Sequence, residues 1–131
     1  MPQEKKNQQL YKKDSLETWD RENVAGGTGT FAGKFSFTRN NAEPDYIIRE
    51  IGWTTLDKGA SLGFHKHEDN EDAYIIVSGE GEFTDSDGVV TKIAAGDITI
   101  ARRGQSHAIR QTGEEPLVFL DVIAKIPEKS S

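Results

Sequence analysis

The residues best able to do chemistry lie in the stretch Gly59-Ala-Ser-Leu-Gly-Phe-His65-Lys66-His67. In a strand, side chains two apart point to the same face, so His65 and His67 project together and Lys66 points away. If their shared face is a barrel interior, two neutral imidazoles meet in an apolar cavity, a setting that suits a bound cation. Such an ion needs further ligands. Carboxylates follow at Glu68, Asp69, Glu71 and Asp72, and His107 comes about forty residues later on another expected strand. All three histidines of the chain are thereby available to one site.

The elements that must position these groups are strands. From Gly26 onward, short runs rich in β-branched and aromatic residues alternate with glycine-bearing turns, the spacing of sandwiches and barrels. The pattern predicts strands over 31–37, 46–56, 60–66, 73–78, 80–84, 89–93, 97–101, 106–112 and 117–124. Asp87-Gly88 supplies a tight hairpin turn, and Gly79, Gly96, Gly104 and Gly113 punctuate the other breaks. Beyond the first residues, no segment of helical length shows a 3.6-residue period. The expectation is one all-β domain over residues 24–131, preceded by a polar extension over 1–23 that is partly ordered. In that extension Leu10, Tyr11, Leu16 and Trp19 are the few apolar anchors. The run Ala25-Gly26-Gly27-Thr28-Gly29 lacks the strand and helix of a phosphate cradle and reads as a flexible lead into the first barrel strand. Trp53, Phe64, Tyr74 and Phe83 are expected to line the core or a pocket.

Bulk properties narrow the function classes. With 131 residues the chain is one ordinary domain, long enough to fold without staples. It has no cysteine, which excludes disulfides, iron–sulfur clusters and thiolate zinc sites. The net charge of −6, with both signs mixed along the chain, argues against a nucleic-acid partner. No apolar run approaches the roughly 20 residues that cross a bilayer, so no membrane partner is expected. The opening MPQEKKNQQL has no apolar leader segment, and a cytoplasmic setting is expected. Asp85-Ser-Asp87-Gly88 lacks the later carboxylates and flanking helices of a calcium loop and reads as the hairpin turn. No serine or lysine sits in a recognisable nucleophile setting.

Two spaced motifs complete the reading. The first is Gly59, five residues, His65-Lys66-His67, four residues, Asp72, six residues, Gly79. The second is Gly96, five residues, Arg102-Arg103-Gly104, two residues, His107, three residues, Gln111. Together they resemble the paired motifs of the cupin superfamily over roughly residues 26–124. The resemblance implies a double-stranded β-helix (jelly-roll) barrel, often a homodimer, with a metal held by His65, His67, Asp72 and His107. Three positions depart from the family pattern. Asp72 stands where a glutamate is usual, Arg102 replaces a proline and Gln111 an asparagine. Glu71 competes with Asp72 for the carboxylate position. Strand parity favours Asp72, which shares a face with Tyr74 and Ile76. The expected substrate-binding residues are Tyr74, Arg102 and Gln111, with Arg102 sharing parity with Ile98 and Ile100.

Three imidazoles and one carboxylate suit one divalent transition metal, with manganese or iron preferred among manganese, iron, nickel, copper and zinc. Occupancy should fall as pH drops below roughly 6, because ligation needs unprotonated imidazole. The resemblance implies a metal-dependent enzyme on a small organic molecule, of dioxygenase, decarboxylase or sugar-isomerase type. A non-catalytic module that binds a small ligand through the metal, as sensor or store, is the alternative, and a metal-free barrel is the third reading.

Overall fold

The computed structural model describes residues 7–127, so the first six residues of the expected extension and residues 128–131 lie outside it. Two very short strands open the chain, β1 (Glu17–Thr18) and β2 (Arg21–Glu22). Nine longer ones follow: β3 (Thr30–Phe37), β4 (Ile48–Leu56), β5 (Ser61–Lys66), β6 (Asn70–Ser78), β7 (Glu80–Thr84), β8 (Val90–Ala94), β9 (Ile98–Ala101), β10 (Ser106–Gln111) and β11 (Leu117–Lys125). These nine match the nine expected strands. The largest shift is at β6, which starts at Asn70 rather than Ala73 and so carries Glu71 and Asp72 within the ladder.

The strands form two facing sheets, the architecture of a double-stranded β-helix. A seven-stranded sheet runs β1-β3-β4-β11-β6-β9, with β2 also on β3, and a four-stranded sheet runs β5-β10-β7-β8. Every pairing is antiparallel. Phe31, Phe35, Leu56, Leu62, Ile76, Ile109, Leu117 and Phe119 pack between the sheets. The interior is graded along the strands. Across β4, β11 and β6, the row Thr54–Phe119–Ile76 is mostly apolar, while Glu50–Ile123–Asp72 is polar at both ends. Between them lies the row Gly52–Asp121–Tyr74. One end of the barrel is therefore a packed core, and the other buries titratable groups.

The β7–β8 hairpin follows the sequence reading. The Asp85 carboxylate accepts N–H bonds from Asp87 and Val89, and the Gly88 N–H closes the turn on the Asp85 carbonyl. Elsewhere the structure corrects two expectations. Phe64 points outward, 52% exposed, whereas Tyr74 is in the core, Phe83 packs against it, and Trp53, 44% exposed, lines an outer cavity with Tyr11 and Leu16. Trp53 has the opposite parity to Thr54 and Leu56, which face in. The glycine-rich lead is not a flexible spacer either. It lies against β5, where Thr28 bonds both Ser61 and the Gly59 carbonyl. A Cβ on Gly27 would meet the Ser61 carbonyl oxygen at 2.2 Å, and one on Gly63 would meet that of Ala25 at 1.9 Å. Glycine is required there for close backbone approach.

The extension also joins the fold, as a strap along β3. The Trp19 N–H bonds the Gly33 carbonyl, and the Asp20 carboxylate accepts from the Gly33 N–H. Arg21 stacks its guanidinium over the Trp19 ring at 3.7 Å and the Phe31 ring at 4.5 Å, a cation–π sandwich.

The outer face of the larger sheet is apolar as well. Trp53, Leu120, Ile75 and Ile98 form one cross-strand row, and Ile51, Val122, Ala73 and Ile100 the next. A sheet with one face in water normally alternates apolar and polar residues; here two outward rows are apolar, bordered by Lys34, Thr55, Glu71 and Arg102.

Candidate metal centre

A local irregularity in β5 aims the first histidine. His107 pairs with His65 and Ile109 with Leu62, so three residues of β5 advance against two of β10. This β-bulge at Gly63 and Phe64 shifts the alternation, letting Leu62 face the core and His65 face the same interior. The Gly63 carbonyl then accepts the Nδ1–H of His65 at 2.6 Å, which leaves Nε2 as the bare donor. His67 lies one residue beyond β5 and is pinned by the β9–β10 loop through Gln105 and Gly104. Its Nδ1–H donates to Asn70 Oδ1 at 2.7 Å, again turning Nε2 inward. His107 sits on β10, and its Nδ1 is buried without a partner among the described residues. Asp72 arrives from the opposite sheet on β6.

These four side chains converge. The Nε2 atom of His107 is 3.0 Å from that of His67 and 3.2 Å from that of His65. Asp72 Oδ2 is 3.3 Å from His67 Nε2 and 3.5 Å from His107 Nε2, and all four donor atoms lie within 4.8 Å of one another. Donors each about 2.1 Å from one ion sit roughly 3.0–3.4 Å apart at octahedral to tetrahedral angles. Bare nitrogen lone pairs held so close repel unless a cation or protons lie between them. The cluster is compatible with one divalent metal on both counts.

Electrostatics favour the charged carboxylate. Burial alone would raise the Asp72 pKa, but hydrogen bonds from Asp121, His107 and His67 hold it well below the usual carboxylate range. Asp121 moves the other way, pushed up by burial and then by the Asp72 charge. The neighbouring acid thus keeps its proton and donates it to Asp72. Burial lowers the pKa of His65. It acts in the same direction on His67, yet hydrogen bonds to Asp72 and Asn70 outweigh it and leave His67 raised. Tyr74 stacks on the His107 ring, with its hydroxyl 3.3 Å from Nε2. Burial, and then the charge of Asp72, keep it a neutral phenol.

The remaining candidates stand apart. Glu71 faces outward, 3.6 Å from Arg102, whose own side chain is largely exposed. Arg102 shares that outer face with Ile98 and Ile100. Gln111 is buried but spent on backbone: it accepts from the Gly59 N–H and donates to the carbonyls of Gly113 and Glu115. Sequence reasoning missed Asn70, Glu50 and Asp121. The last two carried a usable signal, each a lone acid at an inward position of an apolar strand. Glu50, 1% exposed, is capped by the Arg39 backbone N–H and lies 3.6 Å from its Nε.

Comparisons with known proteins agree with this geometry. A family model described as a cupin domain matches residues 52–123. An oxalate-binding protein of Thermotoga maritima is 46% identical over 68 residues, 52% of this chain and 55% of that protein. A gentisate 1,2-dioxygenase of a Ralstonia species is 34% identical over 73 residues, 56% of this chain and 20% of the enzyme. The matched segments thus span about half and one fifth of those relatives. Among solved structures, a predicted oxalate decarboxylase of Thermotoga maritima superposes with a TM-score of 0.80 at 30% identity, covering 90% of this chain and all of that one.

Proposed function

The chain belongs to the cupin family, and from that premise we propose that it binds one divalent transition metal through His65, His67, Asp72 and His107 and acts on a small dicarboxylate. The observation that carries this reading is the convergence of three imidazole Nε2 atoms and one carboxylate oxygen at separations that a single ion would impose. The likeness to an oxalate-binding protein and a predicted oxalate decarboxylase suggests the ligand class. A charge count supports it. With Asp121 protonated, the interior carboxylates Asp72 and Glu50 are matched by Arg21 and Arg39. A divalent ion adds two positive charges that a small dianion would neutralise. When bound, the ion would polarise a carboxylate oxygen and fix its orientation. The chain's own part is to keep His65 and His67 in the ligating tautomer through Gly63 and Asn70, and to hold Asp72 ionised through Asp121. Tyr74 presents a neutral hydroxyl beside the same donors. Manganese or iron is the preferred ion.

Decarboxylase-type chemistry is the leading form of this reading. The oxalate-binding relative favours a second one, in which the site captures its ligand without turnover. Elemental analysis of untagged protein purified without added metal tests the common premise. One transition metal per chain is expected, lost in His107→Ala and Asp72→Ala and kept in Glu71→Ala. Absence of metal, with no thermal stabilisation on adding manganese or iron, would overturn it. Incubating loaded protein with oxalate then separates the two forms: formate and carbon dioxide mean turnover, stabilisation without consumption means binding.

The outer apolar rows of the larger sheet support a homodimer. Tyr11 and Leu16 flank one end of these rows, sharing a cavity with Ile51, Trp53 and Leu120, while Trp53, Ile98 and Ile100 stay exposed. Two-fold symmetry lets one patch close on its own copy, so a second chain is the simplest occupant.

A further inference from the structure

Beside the mouth of the barrel, where β11 ends under the β3–β4 loop, lies a surface cavity of about 450 Å³. Ile123 and Asn70 line it, together with Arg39, Arg49, Lys125 and Asp69. Three cations and one carboxylate line it, and Glu50 behind the lining balances part of the Arg39 charge. Arg49 is a locked charge, since its guanidinium donates to the carbonyls of Glu43 and Tyr46 at 2.6 and 3.2 Å. Arg39 turns its Nε toward Glu50, and its terminal nitrogens have no acceptor among the described residues. Lys125 is exposed, and no described residue pairs with its ammonium group. Asn70 gives Oδ1 to His67, and its amide N–H groups have no acceptor among the described residues.

This arrangement leaves the rim net positive beside the histidine cluster. Positive charge gathered next to a divalent cation site opposes that cation, and Arg39 is close enough for its charge to act on His67. We propose that the cavity is a binding site for a compact dianion, a dicarboxylate or phosphate, separated from the metal donors by the His67 ring and linked to them through Asn70. The two edges of His67 make the separation concrete: Nε2 faces Asp72 and His107, while Nδ1 faces Asn70, which lines the cavity. An anion there offsets the rim cations and draws on the free Asn70 amide. The linkage is reciprocal, so the anion tightens metal binding and the metal tightens anion binding by the same factor. The linkage, unlike the anion site itself, rests on the metal reading given above.

The test uses the full chain stripped with a chelator, titrated with inorganic phosphate or succinate at constant ionic strength, with chloride as control. Calorimetry and melting temperature should show saturable binding of at least one dianion. It should be lost in Lys125→Glu and Arg39→Gln and kept in His107→Ala. Phosphate alone, or succinate alone, identifies which dianion the site takes. Binding that survives both rim variants, disappears in His107→Ala, or matches chloride would overturn the site. Manganese affinity measured with and without succinate then reads the linkage: about a fivefold gain is expected, near the low end for coupled sites, and its loss in Asn70→Ala. No gain, in protein that binds both, would overturn the linkage while leaving the site. Failure to bind manganese at all would count against the metal reading and leave the anion titration intact.

Discussion

At the scale of single residues, the centre works by dividing protons among neighbours. Asp121 keeps a proton so that Asp72 need not, and Gly63 and Asn70 hold the Nδ1 protons of His65 and His67 away from the donor atoms. His67 is the exception, since its pKa lies above the ordinary value of 6.5. In metal-free protein this raised pKa contributes stability that is full below about 6.5 and is lost as pH rises through the folded value. Metal reverses the sign, because the His67 proton must leave first. On acidification, apparent metal affinity should therefore begin to fall while the pH is still above 6.5, earlier than the sequence implied, at up to about tenfold per pH unit. Chelator competition between pH 5.5 and 8 checks this, and an affinity flat down to pH 6 would count against it. The three histidines and Asp72 were legible because motif spacing and strand parity both register in a linear chain. Asn70 was not, since nothing in the sequence shows that an amide at the start of β6 will meet a ring nitrogen.

At the scale of elements, the bulge in β5 matters most. Nine strands could be read from alternation and glycine punctuation, but an inserted residue leaves no mark in composition. It shows only in the register, where Leu62 and His65 both face inward against His107 and Ile109. The same holds for the segment around Ala25 and Gly27, which looked like a spacer and is a packed brace. Gly63 joins these two features. Gly63→Ala would drive a methyl into the Ala25 carbonyl, backbone against backbone, so the cost should reach about 3 kcal/mol, the upper range for overpacking. Metal affinity should fall with stability, because His65 hangs from that turn. Gly113→Ala, which meets only the flexible Glu80 side chain at 3.1 Å, should cost under about 1 kcal/mol. Urea denaturation of both variants decides the matter, and equal costs would sink the argument.

At the scale of the whole molecule, the barrel has two faces that want partners, its polar mouth and its apolar back. The back was hidden from sequence reading because strand alternation assumes water on one side, and Trp53, expected to line the core or a pocket, lines an outer cavity instead of the core. Ile98, 64% exposed at the sheet edge, tests the homodimer with little risk to the fold. Sedimentation should show a dimer for the native chain and a monomer for Ile98→Glu. Phe64→Glu, on the other sheet, should leave the dimer intact. A native monomer, or equal disruption by both changes, would refute the assignment. The strap along β3 bears on how such experiments can be watched. The chain has two tryptophans. One indole lies beneath a guanidinium, while the other stands on the open back of the sheet. Their emission therefore divides by location: light from Trp19 follows the docking of the strap, and light from Trp53 follows whatever comes to cover the back. A single phenylalanine substitution at either position isolates one optical channel, and the protein carries both without any added dye.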